Sequence, residues 1–135
     1  MVMGAVLAIA SVGLMPLLTN EAFAYGYAYA STNMTYCGNS ANYKTHVMQS
    51  SEGSSVTTMI NVPSTVCGNS FESASVTVKD GDNNQCSFTI TSTNGGDTKS
   101  CGSNFDVNNS TVFMSVSLDY SNNYTVNYTQ SDSTT

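Results

Sequence analysis

Arginine and tryptophan are both absent from this chain of 135 residues, and cations of any kind are scarce. Lys44, Lys79 and Lys99 stand against nine carboxylates, for a formal net charge of −6. Nucleic acid is thereby excluded as a partner, because binding it requires clustered cations to displace condensed counterions and clamp phosphates. Charged residues of both signs make up only 9% of the chain, against roughly 25% in an ordinary soluble domain. Ser, Thr and Asn instead account for 53 positions, so solubility rests on hydroxyls and amides. His46 is the sole histidine, which leaves a triad or a histidine-based metal site without partners. The length allows one domain and no second.

The longest hydrophobic run lies at the N-terminus. Val2 to Leu18 carries no charge, Pro16 interrupts it, and Thr19-Asn20-Glu21 leads into Ala22-Phe23-Ala24, the small-x-small pattern that a signal peptidase cuts. Residues 1–24 therefore read as a signal peptide and 25–135 as the mature, disulfide-stabilised domain, with "TQSDSTT" at 129–135 expected as a flexible C-terminal tail. The alternative is a retained hydrophobic helix, marginal against the ~20 apolar residues of a membrane span and the only expected route to a membrane. In hydrophobicity this run resembles the N-terminal segment that type IV pilins and archaeal flagellins keep as a filament core. The basic residue and glycine of those families' cleavage motif are not present here, nor does a Lys or Arg precede the run.

Cysteine usage agrees with export. Cys37, Cys67, Cys86 and Cys101 form an even set beyond the leader, which in a small secreted domain reads as a disulfide framework. Structural zinc sites bring ligands in close Cys-x-x-Cys pairs, and no such pair occurs here. Closing the shortest loops favours Cys37 with Cys67 and Cys86 with Cys101.

Beyond Ala24 the hydrophobic pattern has period two. Ala74, Val76 and Val78 alternate with polar residues; so do Cys86, Phe88 and Ile90, then Val112, Met114, Val116 and Leu118, then Tyr124, Val126 and Tyr128. Each set is one face of a half-buried strand. Weaker strands are expected at 43–49 and 55–62, and another at 25–36. Turn signals separate them: "CGNS" at Cys37 and again at Cys67, Asp80-Gly81, Asn94-Gly95-Gly96 and Ser121-Asn122-Asn123. About seven short antiparallel strands predict an all-β, immunoglobulin-like sandwich, without the tryptophan that usually pins such a core; a closed barrel is the alternative. The repeated "CGNS" reads as turn chemistry used twice. Asp80, Asp82 and Asn84 have the spacing that opens a calcium loop, but the distal glutamate is missing and a hairpin turn is the stronger reading.

Chemistry-bearing residues are few. His46 shares a strand face with Lys44 and is expected at the solvent side, the cysteines are expected to be oxidised, and no serine stands out, so neither an enzyme nor a cofactor is expected. Sequons at Asn33, Asn108, Asn109, Asn123 and Asn127 are candidate glycosylation sites. In "YGYAYA", Tyr25, Tyr27 and Tyr29 share one face of a strand, with Gly26, Ala28 and Ala30 on the other. That strand reads as the first of the domain's own sandwich. It also resembles, in architecture, the donor strands of strand-complemented pili, and tyrosine faces can stack on sugar rings. The functional expectation is a secreted, non-enzymatic structural protein of the cell surface or an extracellular filament, partnered by copies of itself. The alternative is a small extracellular glycan- or protein-binding module.

Overall fold

The computed structural model describes residues 7–10, 15–17, 25–50, 55–108 and 110–134. Most of the expected leader helix lies outside these residues. The described parts of the leader, β1 (Leu7–Ala10) and β2 (Met15–Leu17), pair with each other as an antiparallel ribbon. Among the described residues no helix is long and apolar enough to cross a membrane.

From Tyr25 onward the chain is an all-β sandwich of two antiparallel sheets. The first sheet has the order β3 (Tyr25–Tyr36), β4 (Asn39–Ser50), β5 (Ser55–Asn61), β9 (Asn94–Ser100). The second runs β11 (Tyr124–Ser133), β10 (Thr111–Tyr120), β7 (Asn69–Lys79), with β6 (Thr65–Val66) and β8 (Gln85–Ile90) both on the far edge of β7. The segment expected as a flexible tail is instead the end of β11, paired with β10 as far as Ser133 and followed by a buried Thr134 bonded to Ser110. Strands β3 to β5 follow one another in the first sheet and β6 to β8 lie together in the second, and the chain crosses between sheets from β5 to β6, from β8 to β9 and from β9 to β10.

Alternation places the core as expected. Val112, Met114, Val116, Leu118 and Tyr120 of β10 point inward and meet Val76, Val78, Phe88 and Ile90 of the same sheet and Tyr43, Val47, Val56 and Ile60 of the other. Burying each such side chain contributes roughly 1.5–3 kcal/mol. Two strands lie where the sequence shows turn signals or no pattern: β6 and β9. β9 is "NGGDTKS", with no hydrophobic residue to reveal it. Its Gly96 lies against β5 so closely that a Cβ would sit 2.6 Å from the Thr58 carbonyl oxygen. Glycine here serves a close approach of backbones rather than a turn.

Both disulfides have the pairing favoured by loop length, and each ties one sheet to the other. Cys86 of β8 joins Cys101, just past β9. Cys37–Cys67 joins the tips of two hairpins, β3–β4 and β6–β7. In each tip the two loop residues, Cys37-Gly38 and Cys67-Gly68, have positive φ: 53° and 79° in one, 50° and 77° in the other. This is a two-residue type I′ turn, for which Asn-Gly is the usual sequence. Left-handed backbone costs a residue with a Cβ about 1–2 kcal/mol. The bridge offsets that cost, since a disulfide in a small secreted domain contributes about 2–5 kcal/mol.

The opposite end is closed by the β9–β10 connection, which is plugged into the sandwich by Phe105 and Val107. Gln49 of β4 holds it like a paired strand: its amide donates to the Phe105 carbonyl at 2.7 Å and its oxygen accepts the Val107 N–H at 2.8 Å. Asp80, 1% exposed, anchors it from the other sheet. One carboxylate oxygen accepts the backbone N–H groups of Asp82 and Asn84; the other accepts the Asn84 side-chain amide and the Asp106 N–H. The "KDGDNN" segment is thus a hairpin turn whose first carboxylate is saturated by four N–H donors. Burial alone would raise the Asp80 pKa, but these hydrogen bonds outweigh it and hold the carboxyl below its ordinary value.

Because its folded pKa is depressed, Asp80 stabilises the fold above the ordinary carboxylate range, and that contribution is lost as pH falls through the lowered value. Asp80→Asn keeps one acceptor but turns an NH₂ toward the Asn84 and Asp106 donors. We expect a loss of about 2–4 kcal/mol at neutral pH, measured by urea unfolding. The gap between variant and wild type should narrow below about pH 4; an unchanged midpoint at neutral pH would refute the anchoring role.

Candidate functional site

Strand β3 is fully part of its own sheet, paired with β4 along all twelve residues from Tyr25↔Ser50 to Tyr36↔Asn39. Its small residues face inward. Ala28 is 0% exposed, and a Cβ on Gly26 would come within 2.7 Å of Val107 and 2.8 Å of the Asn108 side chain. The glycine–alanine face is small because the β9–β10 plug lies across it. The tyrosines consequently face outward, Tyr27 46% and Tyr29 39% exposed.

Cross-strand register turns these rings into a patch. Tyr29, His46, Met59 and Gly96 form one row across the outer face of the first sheet; Tyr27, Met48, Thr57 and Thr98 form the next. Met59 is 36% exposed, and its side chain lies over Gly96, where an added Cβ would be 2.7 Å from Cγ. The Tyr27 hydroxyl reaches from β3 to Nδ1 of His46 on β4, 2.8 Å away. The Tyr27 ring is thereby tethered to β4, edge-on to the imidazole with centroids 6.0 Å apart. Tyr29 packs on the same imidazole with ring centroids 4.6 Å apart. The result is an aromatic and thioether platform with Ser31, Asn61, Thr57 and Thr98 around it and Lys44 the adjacent charge.

His46 lies on the outer face with Lys44, as the alternation indicates, but the two tyrosine rings cover it and leave it half-buried. Burial, and next the positive charge of Lys44, lower its pKa from 6.5 to about 4. At neutral pH it is an uncharged imidazole, hydrogen-bonded through Nδ1 to the Tyr27 hydroxyl. Tyr27 itself is pushed up to about 12, first by burial and then by Tyr29 and Asp132. The site is neutral across the physiological range.

The remaining sequence-predicted residues are spread out. Asn33 is exposed on β3, its side-chain oxygen accepting from the Asn42 amide at 2.7 Å. Asn108 is half-buried, its amide directed at Asp106. Asn123 is exposed at the β10–β11 tip with φ 58°, and Asn127 is exposed on the outer face of β11. Asn109 and the side chain of Tyr25 lie outside the described residues. Among the described residues no group of three or more His, Cys, Asp or Glu is placed to hold a metal ion. His46, Met48 and Met59 are absent from the set the sequence pointed to. Their i, i+2 spacing with polar neighbours reads as a solvent face, and only register shows that they meet Tyr27 and Tyr29.

The outer face of the second sheet is different in kind. Ser75 and Thr77, Ser115 and Ser117, and Asn127 and Thr129 surround a shallow hollow of about 300 Å³. The exposed Phe113 at its end is capped by Lys79, whose Nζ sits 5.5 Å from the ring centroid. No family model, curated protein or solved structure matches this chain.

Two measurements check the platform. The folded pKa of His46 is below its unfolded value, so its neutral form adds stability that is complete above about pH 6.5 and declines as pH falls toward 4. An NMR titration should give a midpoint near 4, and Tyr27→Ala, which uncovers the ring, should return it toward the ordinary value. A wild-type midpoint near 6.5 would mean that the tyrosines do not cover the ring. Separately, Ala28→Lys forces an unpaired ammonium into the core beneath the plug, and we expect a loss of about 3–5 kcal/mol on chemical denaturation.

Proposed function

We propose that the protein is a secreted, non-enzymatic domain that works by surface contact, binding neutral glycans through the Tyr27–Tyr29–Met59 platform. The observation that carries this reading is the exposed Tyr27 ring tethered by its hydroxyl's bond to His46. A sugar ring offers one apolar face of C–H groups and a rim of hydroxyls. It is matched by an aromatic ring already held in place, so that little rotamer entropy is lost on binding, with neutral hydroxyls and amides around it. A charged ligand would gain little, because the neighbouring charges, Lys44 and Asp132, are of opposite sign.

Export is supported by the two disulfides, which persist in an oxidising compartment, and in the sequence by the uncharged run that ends in Ala22-Phe23-Ala24. Cleavage after Ala24 would release the domain with every core residue intact. The sequons are then open to glycosylation. Assembly of copies into a filament is the second reading. It is favoured by the exposed apolar residues of the same face, and it would proceed by face-to-face contact, since β3 is already committed to its own sheet.

The test is binding of the mature chain to immobilised neutral polysaccharides, alongside sedimentation at high concentration. Tyr27→Ala and Tyr29→Ala should each weaken retention about tenfold, equivalent to ~1.4 kcal/mol, with the fold unchanged. Concentration-dependent polymers lost in the same variants would transfer the platform to self-assembly, and a monomer indifferent to every glycan would overturn the proposal.

A further inference from the structure

The second sheet carries a sequon inside the lining of its hollow. Asn127, Tyr128 and Thr129 form Asn-x-Thr on β11. Because side chains two apart share a strand face, Asn127 and Thr129 both point outward while Tyr128 turns in toward Thr45. The ladder sets Ser117 opposite Asn127 and Ser115 opposite Thr129, and beyond them Ser75 opposite Ser117 and Thr77 opposite Ser115. With strands ~4.8 Å apart and same-face residues about 6.7 Å apart, these six side chains make a small grid of neutral donors and acceptors around about 300 Å³.

The other described sequons lack such a floor. Asn33 is tied to Asn42 on the hairpin arm, Asn108 is half-buried against Asp106, and Asn123 sits at a hairpin tip. We propose that Asn127 is an N-glycosylation site and that the hollow of Ser75, Thr77, Ser115, Ser117 and Thr129 seats the first sugar of its glycan. The reaction requires a lipid-linked oligosaccharide as co-reactant. The Asn127 amide nitrogen forms a bond to the anomeric carbon, the carbon–oxygen bond to the lipid pyrophosphate breaks, the pyrophosphate departs, and the amide gives up one proton. The seated sugar exchanges ordered water for direct hydrogen bonds to hydroxyls that the sheet already holds in place. It leaves the tyrosine platform, on the opposite sheet, clear. The inference rests on the export reading above but is independent of what the platform binds.

The experiment is secretion of the full chain from a yeast that adds high-mannose glycans, followed by peptide mapping and thermal unfolding. Mapping is expected to find Asn127 occupied. Trimming with an endoglycosidase that leaves a single N-acetylglucosamine should keep the melting temperature, whereas an amidase that removes the whole glycan should lower it by about 4 °C. Asn127→Gln from the same host, still bearing its other glycans, should show the lower value. An unoccupied Asn127, a melting temperature that falls on trimming alone, or one that does not fall on complete removal would each overturn the proposal. Retention on polysaccharide by the Asn127→Gln chain reports on the platform separately.

Discussion

Two sheets held face to face by bonds that cross between them are the condition for everything else in this molecule. Apolar inner faces supply most of the attraction but do not by themselves specify how one sheet sits on the other. Charge could do so and is nearly absent. The specification falls to a few directional links: two disulfides, the Gln49 amide, and the Asp80 carboxylate with its four donors. Each of them joins elements from different sheets or pins the plug between them. At the open seams the same economy appears. Asp132 accepts the Tyr29 N–H on one side, and Lys99 donates to the Ser87 carbonyl on the other, which occupies edge groups that another strand would otherwise find free.

The platform follows from this arrangement. The plug needs room, so β3 presents glycine and alanine inward, and strand alternation then sends the bulky residues of "YGYAYA" outward. An exposed aromatic row is thus a geometric consequence of a crowded interior at that point. Its chemistry is added by the partner strand, where Nδ1 of His46 is hydrogen-bonded to the Tyr27 hydroxyl and tethers the ring. In the proposed role, neutral rings on a sparsely charged surface discriminate by shape and stacking rather than by field.

The two outer faces differ in kind. One is aromatic and pre-positioned; the other is a grid of hydroxyls and amides with Phe113 shielded by Lys79. Such sidedness lets one surface be hydrated or sugar-covered while the other makes contact, without any change in the core that both share.

The period-two pattern was enough to establish strands, their inward residues and the sandwich class, because alternation is a local property that burial enforces residue by residue. The disulfide pairing was also legible, since the two short loops are the ones whose closure costs least. Local signals failed where a residue's role is set by a distant partner. β9 has no hydrophobic residue, and its Gly96 answers to the β5 backbone, so that Asn94-Gly95-Gly96 imitates a turn. Cysteine at a type I′ position looks out of place until its bridge is seen. Gln49 and Asp80 are ordinary polar residues in sequence and structural anchors in the fold. His46, 17 residues from Tyr29 in the chain, meets it only through the β3–β4 register. What the sequence determined is which residues face in; which residues meet one another was decided by register and by the packing of one sheet on the other, because those depend on contacts that no local window contains.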